Sequence, residues 1–461
     1  MTLVASAGRR RARAGLHSEQ PAAPPALPAW PLVWLLAAYP AWWLLGLGVL
    51  IFPIAAVPMI VLLVRVRAGG RRVTLPPGFG WWALFLLAVV VSIGALGADP
   101  AGTVPGTAAS RIVAVAYRLG MYLALTVLLV YAGNLRRAEL PVAKLTRLLG
   151  WLFVVTVAGG VLGMVAGRFE ITSPVELLLP QGVRTKGFVQ SLVHPYAAQI
   201  MDVGGGPAPR PAAPWGYTNT WGNNFCLLVG FLIAAVWGQL TRTRTKLLGL
   251  AVLVVSVAPM IYSLNRGLWI GLAVAACFVA VRYAVMGRLW MIAGLVVAGL
   301  AMGTALLVTP LGGVVSDRMA NGKSNGVRSF LIERALDGIG ESPVIGFGST
   351  RATIGGRQSI TVGESADCER CGNFTVGGNG QFWQVLYAHG IVGTVGYLGF
   401  FLSALWRFRR DRSPAGIAAS AAIVTSFSSM FVYNSLVTPL AFMFLAYALL
   451  WRNATQPEED A

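Results

Sequence analysis

Apolar runs long enough to cross a lipid bilayer recur along almost the whole chain, from Trp30 to Trp451. A helix rises 1.5 Å per residue, so about 20 apolar residues cross a hydrocarbon core roughly 30 Å thick. Only 11% of the residues are charged and 56% are hydrophobic, whereas soluble domains carry roughly 25% charged residues. With a mean hydropathy of +0.68, an ordinary soluble globule is excluded. The expected architecture is an all-α integral membrane protein with about twelve transmembrane helices. The spans fall near 31–48, 50–64, 80–97, 111–132, 148–167, 219–239, 247–264, 267–285, 289–309, 380–405, 415–432 and 434–451. Pro40, Pro53 and Pro58 interrupt the first pair. Tryptophans near the ends (Trp30, Trp81, Trp151, Trp290, Trp406, Trp451) suit an interfacial belt.

A net charge of +19 invites a nucleic-acid reading, but a nucleic-acid binder gathers its cations on one folded face. Here they form small groups between apolar runs, so no nucleic-acid partner is expected. Alternate connections hold Arg65, Arg67, Arg71 and Arg72; Arg136, Arg137, Lys144 and Arg147; Arg242, Arg244 and Lys246; Arg282 and Arg288; and Arg407, Arg409, Arg410 and Arg412. All fall on the side of the basic N-terminal tail, so the positive-inside rule places both termini in the cytoplasm. The apolar stretch after that tail runs to Val64, too long for a signal-peptide core. Residues 1–29 are expected to be a disordered basic tail, residues 30–451 a polytopic membrane domain, and residues 452–461 an acidic cytoplasmic tail. Two long loops, 168–218 and 310–379, lie on the outer side. Loops of this length are usually functional. The second should contain an amphipathic helix over Val327–Ile339, with Leu331, Ala335, Leu336 and Ile339 at helical spacing.

Arg266, in Tyr262-Ser263-Leu264-Asn265-Arg266-Gly267, sits where two apolar runs meet on the outer side. Charge near membrane depth is costly and marks a functional site by default, and a guanidinium fork suits phosphate. The competing reading is an interfacial arginine snorkelling to headgroups. Further outer cations include Arg184, Lys186, Arg210, Arg318, Lys323, Arg328, Arg334, Arg351, Arg357 and Arg370, while Arg118 falls inside the fourth span. A basic outer cavity implies an acidic ligand, such as a diphosphate lipid or an acidic glycan, or else attraction to anionic membrane lipids. Trp215, Tyr217, Trp221, Phe374, Phe382, Trp383 and Tyr387 offer aromatic faces for sugars or for the interfacial belt. The outer carboxylates form no metal or paired-acid motif, and no cofactor is expected. Cys226 and Cys277 lie in apolar runs and read as small packing groups. Cys368 and Cys371 have C-x-x-C spacing, which in an oxidising compartment reads as a loop-closing disulfide, with free thiols or metal as the alternatives.

Several segments resemble the O-antigen ligase/polymerase superfamily of bacterial membrane glycan transferases. Ser263-Leu264-Asn265-Arg266-Gly267 is similar to the Ser-x-Ser/Asn-Arg-Gly segment after a mid-chain span. Arg328, then Ala335-Leu336 and Ser342-Pro343-Val344-Ile345-Gly346-Phe347-Gly348, resembles the outer-loop Arg and Pro-x-x-Gly-x-Gly segment. Gly390-Ile391-Val392-Gly393 resembles the Gly-x-x-Gly that opens the next span. Arg210 with Tyr217-Thr218-Asn219-Thr220-Trp221-Gly222 resembles the segment entering the sixth span. The resemblance covers about residues 30–450. It implies a C-type glycosyltransferase-like membrane fold in the bacterial cytoplasmic (inner) membrane. It also implies metal-independent, inverting transfer of a glycan from an undecaprenyl-diphosphate carrier to a polysaccharide or lipid acceptor. Arg266 and Arg328 would bind the diphosphate, stabilising charge that grows as the carrier leaves. Arg210, Asn219, Trp221, Arg318, Asn379, Gln381 and Trp383 would contact donor or acceptor. Ligases of this family carry a His eleven residues before the closing Gly-x-x-Gly, where this chain has Asn379. Asparagine cannot act as a base, so Asn379 would only orient a substrate.

Two other function classes fit the same pattern. A transporter or flippase of an anionic lipid-linked glycan would need a charged path continuing towards the cytoplasm. A non-catalytic member would bind the carrier and recruit other enzymes.

Overall fold

A computed structural model describes residues 25–202, 207–239, 242–308, 313, 323–353 and 375–456. Arg318, Cys368 and Cys371 therefore lie outside the described residues. The helices in chain order are α1 (Trp30–Ala37), α2 (Tyr39–Leu44), α3 (Ile51–Ala68), α4 (Phe79–Val91), α5 (Ala108–Asn134) and α6 (Val142–Val165). Three short turns of helix follow in the first long loop, α7 (Pro174–Leu178), α8 (Gln181–Arg184) and α9 (Gly187–Val193). Then come α10 (Thr218–Gln239), α11 (Thr243–Tyr262), α12 (Arg266–Val285), α13 (Leu289–Val308), α14 (Lys323–Glu341), α15 (Gln381–Arg407), α16 (Pro414–Ser429) and α17 (Thr438–Thr455). Seven of these (α3, α5, α6, α10, α11, α12 and α15) are long and apolar enough to cross a membrane. The chain is a multi-pass, all-α membrane protein.

The bundle is built around α17. Every residue from Thr438 to Arg452 is buried, as expected of a helix that is apolar on all sides. It packs on α5, α10, α15 and α16. Around this centre α6 pairs with α10, α4 with α15, and α3 with α5. The outer helices turn large apolar side chains outward, among them Val57, Leu248, Val254, Ile270 and Val281, each at least 60% exposed. An apolar surface this broad would be insoluble without a lipid contact.

Three sequence expectations shift. The run 31–48 is not one helix: it breaks at Ala38 into α1 and α2, because Pro40 sits in the first turn of α2 and cannot continue the preceding ladder. Pro58, by contrast, is absorbed inside α3. The expected span 434–451 starts late, at Thr438, with Pro439 in its first turn, and residues 430–437 form a connecting segment instead. Residues 25–29, expected to belong to a disordered tail, are pinned. Leu27 is buried, its backbone N–H donates to Glu139 Oε1 (2.6 Å), and Pro25 O accepts from Arg71 Nη1 (3.3 Å).

The two ends of the bundle differ in chemistry. At one end Arg71 pairs with Glu139 at 2.5 Å, Asn453 donates to Asp411 Oδ2 (2.8 Å), and Arg452 bonds the Leu140 carbonyl. These contacts join the short basic connections. At the other end the long loops meet. Two two-stranded antiparallel sheets form there, β1 (Ala198–Asp202) with β2 (Pro207–Pro211) and β3 (Arg351–Ala352) with β4 (Thr375–Val376). Thr103 bridges to Thr353, and Arg351 is caged by the carbonyls of Leu96, Ala98 and Phe347 (3.0–3.2 Å).

Candidate functional site at the long-loop end

The turn between α11 and α12 carries Arg266. Leu264 adopts a left-handed φ of 53°, a conformation that costs a non-glycine residue about 1 kcal/mol or more. Neighbours hold it there. Asn265 Oδ1 caps α12 by accepting from Leu268 N (3.3 Å), and Asn265 Nδ2 donates to Thr218 O (3.2 Å). Gly222 of α10 lies against the same asparagine side chain. Arg266 is consequently the first residue of α12, where the aligned peptide dipoles of the helix add positive potential to its own charge.

Arg210 reaches the same turn from β2, opposite Gln199 in the sheet. It is buried, and its Nε donates to Ser263 O at 2.7 Å. The sheet is tied to α10, since Thr218 N donates to Gln199 Oε1 (2.9 Å) and Thr218 Oγ1 to Arg210 O (3.2 Å). Gly163 of α6 lets this loop sit directly on the helix; a Cβ there would lie 2.7 Å from Ala197 O.

The third cation, Arg328, comes from α14, whose Leu331 and Ala335 face inward as the amphipathic pattern requires. Leu336 is exposed instead. Arg328 has its acidity raised by burial and by the charge of Arg266, against an opposing influence of Tyr433. Tyr433, in the 430–437 segment, lies near Arg328 and Arg210. Burial pushes its phenol well above the ordinary value, while Arg328 and Arg210 pull it down. A Cβ on Gly267 would collide with the Tyr433 ring. Arg328 and Arg210 thus lie near one tyrosine, and Arg266 lies near Arg328 and precedes the glycine that packs on that ring.

The 430–437 segment is fastened from α15. Gln381 N donates to Tyr433 O (2.8 Å), Ser435 N to Gln381 Oε1 (3.0 Å), and Trp383 Nε1 to Phe431 O (3.1 Å). Just before α15, Asn379 is half-buried, and neither its Nδ2 nor its Oδ1 has a hydrogen-bond partner among the described residues. An amide left this way is costly unless a ligand or water completes it. Asn219 is exposed at the start of α10. Two residues expected at the substrate lie beneath it. Trp221 is fully buried, with its indole N–H on Thr156 O (2.9 Å), and Gln381 is fully buried against Tyr122 and Ser435. Neither side chain has a face left for a ligand; both brace the site.

On the other flank of residues 430–437 opens a cleft of about 410 Å³. Its walls include Arg118, Tyr117, His194, Tyr196, Tyr217 and Asn434. Arg118 donates to two neutral hydroxyls, Ser349 Oγ (3.3 Å) and Thr350 Oγ1 (3.1 Å). His194 Nδ1 lies 2.7 Å from Glu176 Oε2. Sequence reasoning singled out neither Tyr433 nor the His194–Glu176 pair as functional, because their neighbours are set by how the long loops fold. Among the described residues, no group of three or more His, Cys, Asp or Glu side chains is arranged to hold a metal ion. His389 is packed away, bonded through Nδ1 to Ser92 Oγ (2.9 Å).

The glycine-rich segments also meet. Residues 343–348 dock onto the break in α15 at Gly390 through four backbone bonds: Phe347 N to Tyr387 O (3.1 Å), Gly348 N to Ala388 O (2.7 Å), Ile391 N to Pro343 O (2.8 Å) and Val392 N to Val344 O (3.4 Å). Gly390 has φ 62° and ψ −167°, and a Cβ on it would overlap the Val344 carbonyl oxygen. This clamp holds the end of α14 and residues 349–350, hence Arg118, in place.

The sequence matches no protein-family model, and a search of curated proteins finds no match.

Proposed function

We propose that this chain transfers a glycan from a polyprenyl-diphosphate carrier to a polysaccharide or lipid acceptor at the outer face of a bacterial cytoplasmic membrane. The long-loop end would face outward, both termini would be cytoplasmic, and about twelve helices would span in a C-type glycosyltransferase-like arrangement. The nearness of Arg266 to Arg328, with Arg328 and Arg210 both beside Tyr433 and Arg210 bonded into the turn that carries Arg266, supports this reading. Like charges brought together at a partly buried site repel, and a diphosphate that bridges them relieves the repulsion. As the glycosidic bond to phosphate breaks, negative charge grows on the leaving diphosphate, and fixed guanidinium groups stabilise it there. Tyr217 is exposed and Phe382 and Trp383 are half-buried, which leaves them aromatic faces for sugars.

A transporter would need a polar route onward from Arg118. One turn further along α5 stands Tyr122, packed on Phe85 (ring centroids 4.9 Å apart), which packs on Trp82 (4.8 Å), which packs on Phe444 (5.0 Å). This aromatic layer favours a site open to one side. The test is purified protein with lipid-diphosphate glycan and acceptor, following release of undecaprenyl diphosphate. Arg266→Ala and Arg328→Ala should each slow release by about 10²-fold or more. Full release rates in both variants would refute the role.

A further inference from the structure

His194 stands on the wall of the cleft, and a buried carboxylate fixes its ring. Glu176 Oε2 lies 2.7 Å from His194 Nδ1, and Glu176 Oε1 accepts from Gln190 Nε2 at 3.0 Å. The Glu176 backbone N–H is held by Ser173 Oγ (3.1 Å), which itself donates to Val193 O (2.6 Å). Both carboxylate oxygens are therefore occupied, and the loop that carries the histidine is tied to the loop that carries the glutamate. An ionised carboxylate only accepts, so the shared proton sits on Nδ1 and the lone pair falls on Nε2. Nε2 is 3.7 Å from Glu170 Oε2, too far for a hydrogen bond, and the Glu170 side chain is 69% exposed. His194 itself lines the cleft, whose other walls include Tyr117, Tyr196, Tyr217 and Arg118.

We propose that His194, oriented by Glu176, takes the proton of the acceptor hydroxyl. The assignment rests on the transfer reading above and adds an acceptor side to it. The acceptor oxygen forms its bond to the anomeric carbon as its proton passes to His194 Nε2. The anomeric carbon–oxygen bond breaks, and its electron pair leaves with the carrier diphosphate beside Arg266 and Arg328. The imidazolium, stabilised by Glu176, then returns its proton to water. His194 is the catalytic group and Glu176 a positioning residue. The ionisable groups around the ring are Glu170, Glu176 and Tyr196 of its own loop, Tyr117 and Arg118 of α5, Tyr39 of α2, and Tyr217 before α10.

Full-length protein in lipid nanodiscs, assayed for transfer over a range of acceptor concentrations and separately for donor binding, tests this. His194→Gln should lower transfer by about 10²-fold or more, with donor binding unchanged. Glu176→Gln should lower the maximal transfer rate with the acceptor KM and donor binding unchanged, and Glu176→Asp should restore part of that rate. If His194→Gln and His194→Asn both transfer at the wild-type rate, the assignment is wrong. The same holds if Glu176→Gln transfers at the wild-type rate. Arg266→Ala separates the two levels: activity lost there but kept in His194→Gln removes only the dyad, whereas wild-type protein that releases no undecaprenyl diphosphate from donor and acceptor removes the transfer reading itself.

Discussion

Arginine plays two opposite parts in this molecule, and neighbours decide which. Arg351 is spent on backbone carbonyls and Arg71 on Glu139, Asn134 and Pro25, so both are structural. Arg266 and Arg328 lie close enough for the charge of one to act on the other. The Arg71–Glu139 pair yields a prediction with a definite sign. Burial acts to raise the Glu139 pKa, but bonds from Arg71, Arg136 N and Leu27 N outweigh it and hold the carboxyl below its ordinary value. A depressed carboxylate stabilises the fold above its unfolded pKa and loses that contribution as pH falls through the folded one. Glu139→Gln, which mimics the protonated form, should lower the thermal unfolding midpoint in detergent at neutral pH. The gap to wild type should narrow below about pH 4; a gap that stays constant with pH would contradict this. Of the candidate site residues, Arg266, Arg328 and Arg210 stand out in the sequence because charge is rare in an apolar chain. Trp221 misled, since residue type does not say which way a ring faces: the same indole serves a sugar or a core.

Among the elements, the clamp between residues 343–348 and the break in α15 is what the glycine spacing encodes. Gly390 takes a left-handed φ, and Gly346 (φ 65°) has the Tyr387 carbonyl 2.6 Å from where its Cβ would be. Gly390→Ala combines backbone strain with a steric clash, each worth about 1–3 kcal/mol. It should free the α14 end, measured as faster proteolysis after Arg351 with α17 still protected; an unchanged cleavage rate would argue against the clamp. The expected spans 111–132 and 415–432 begin within three residues of α5 and α16, whose starts are capped by Thr107 and Ser413. They failed where polar and apolar residues alternate without a cap, as in Tyr433-Asn434-Ser435-Leu436. That segment reads as the start of a span but folds as the strip between arginines and cleft.

For the whole molecule, the apolar runs made the all-α membrane class legible, and the charge distribution separated the short connections from the long loops. What sequence could not supply is the meeting of residues far apart in the chain, such as Arg210 with Ser263 or Arg118 with Thr350. Those contacts give the long-loop end a cluster of arginines and, beside it, a cleft with aromatic walls; we propose that the first takes the carrier and the second the acceptor. The central claim is that the first compartment recognises two phosphates in series. The most direct measurement is binding of undecaprenyl diphosphate and undecaprenyl monophosphate to the purified chain and to Arg328→Ala. The diphosphate should bind at least about 10-fold more tightly than the monophosphate, and the variant should lose most of that preference, a difference of about 1.4 kcal/mol. Equal affinity for the two lipids, or a preference that survives without Arg328, would contradict the account.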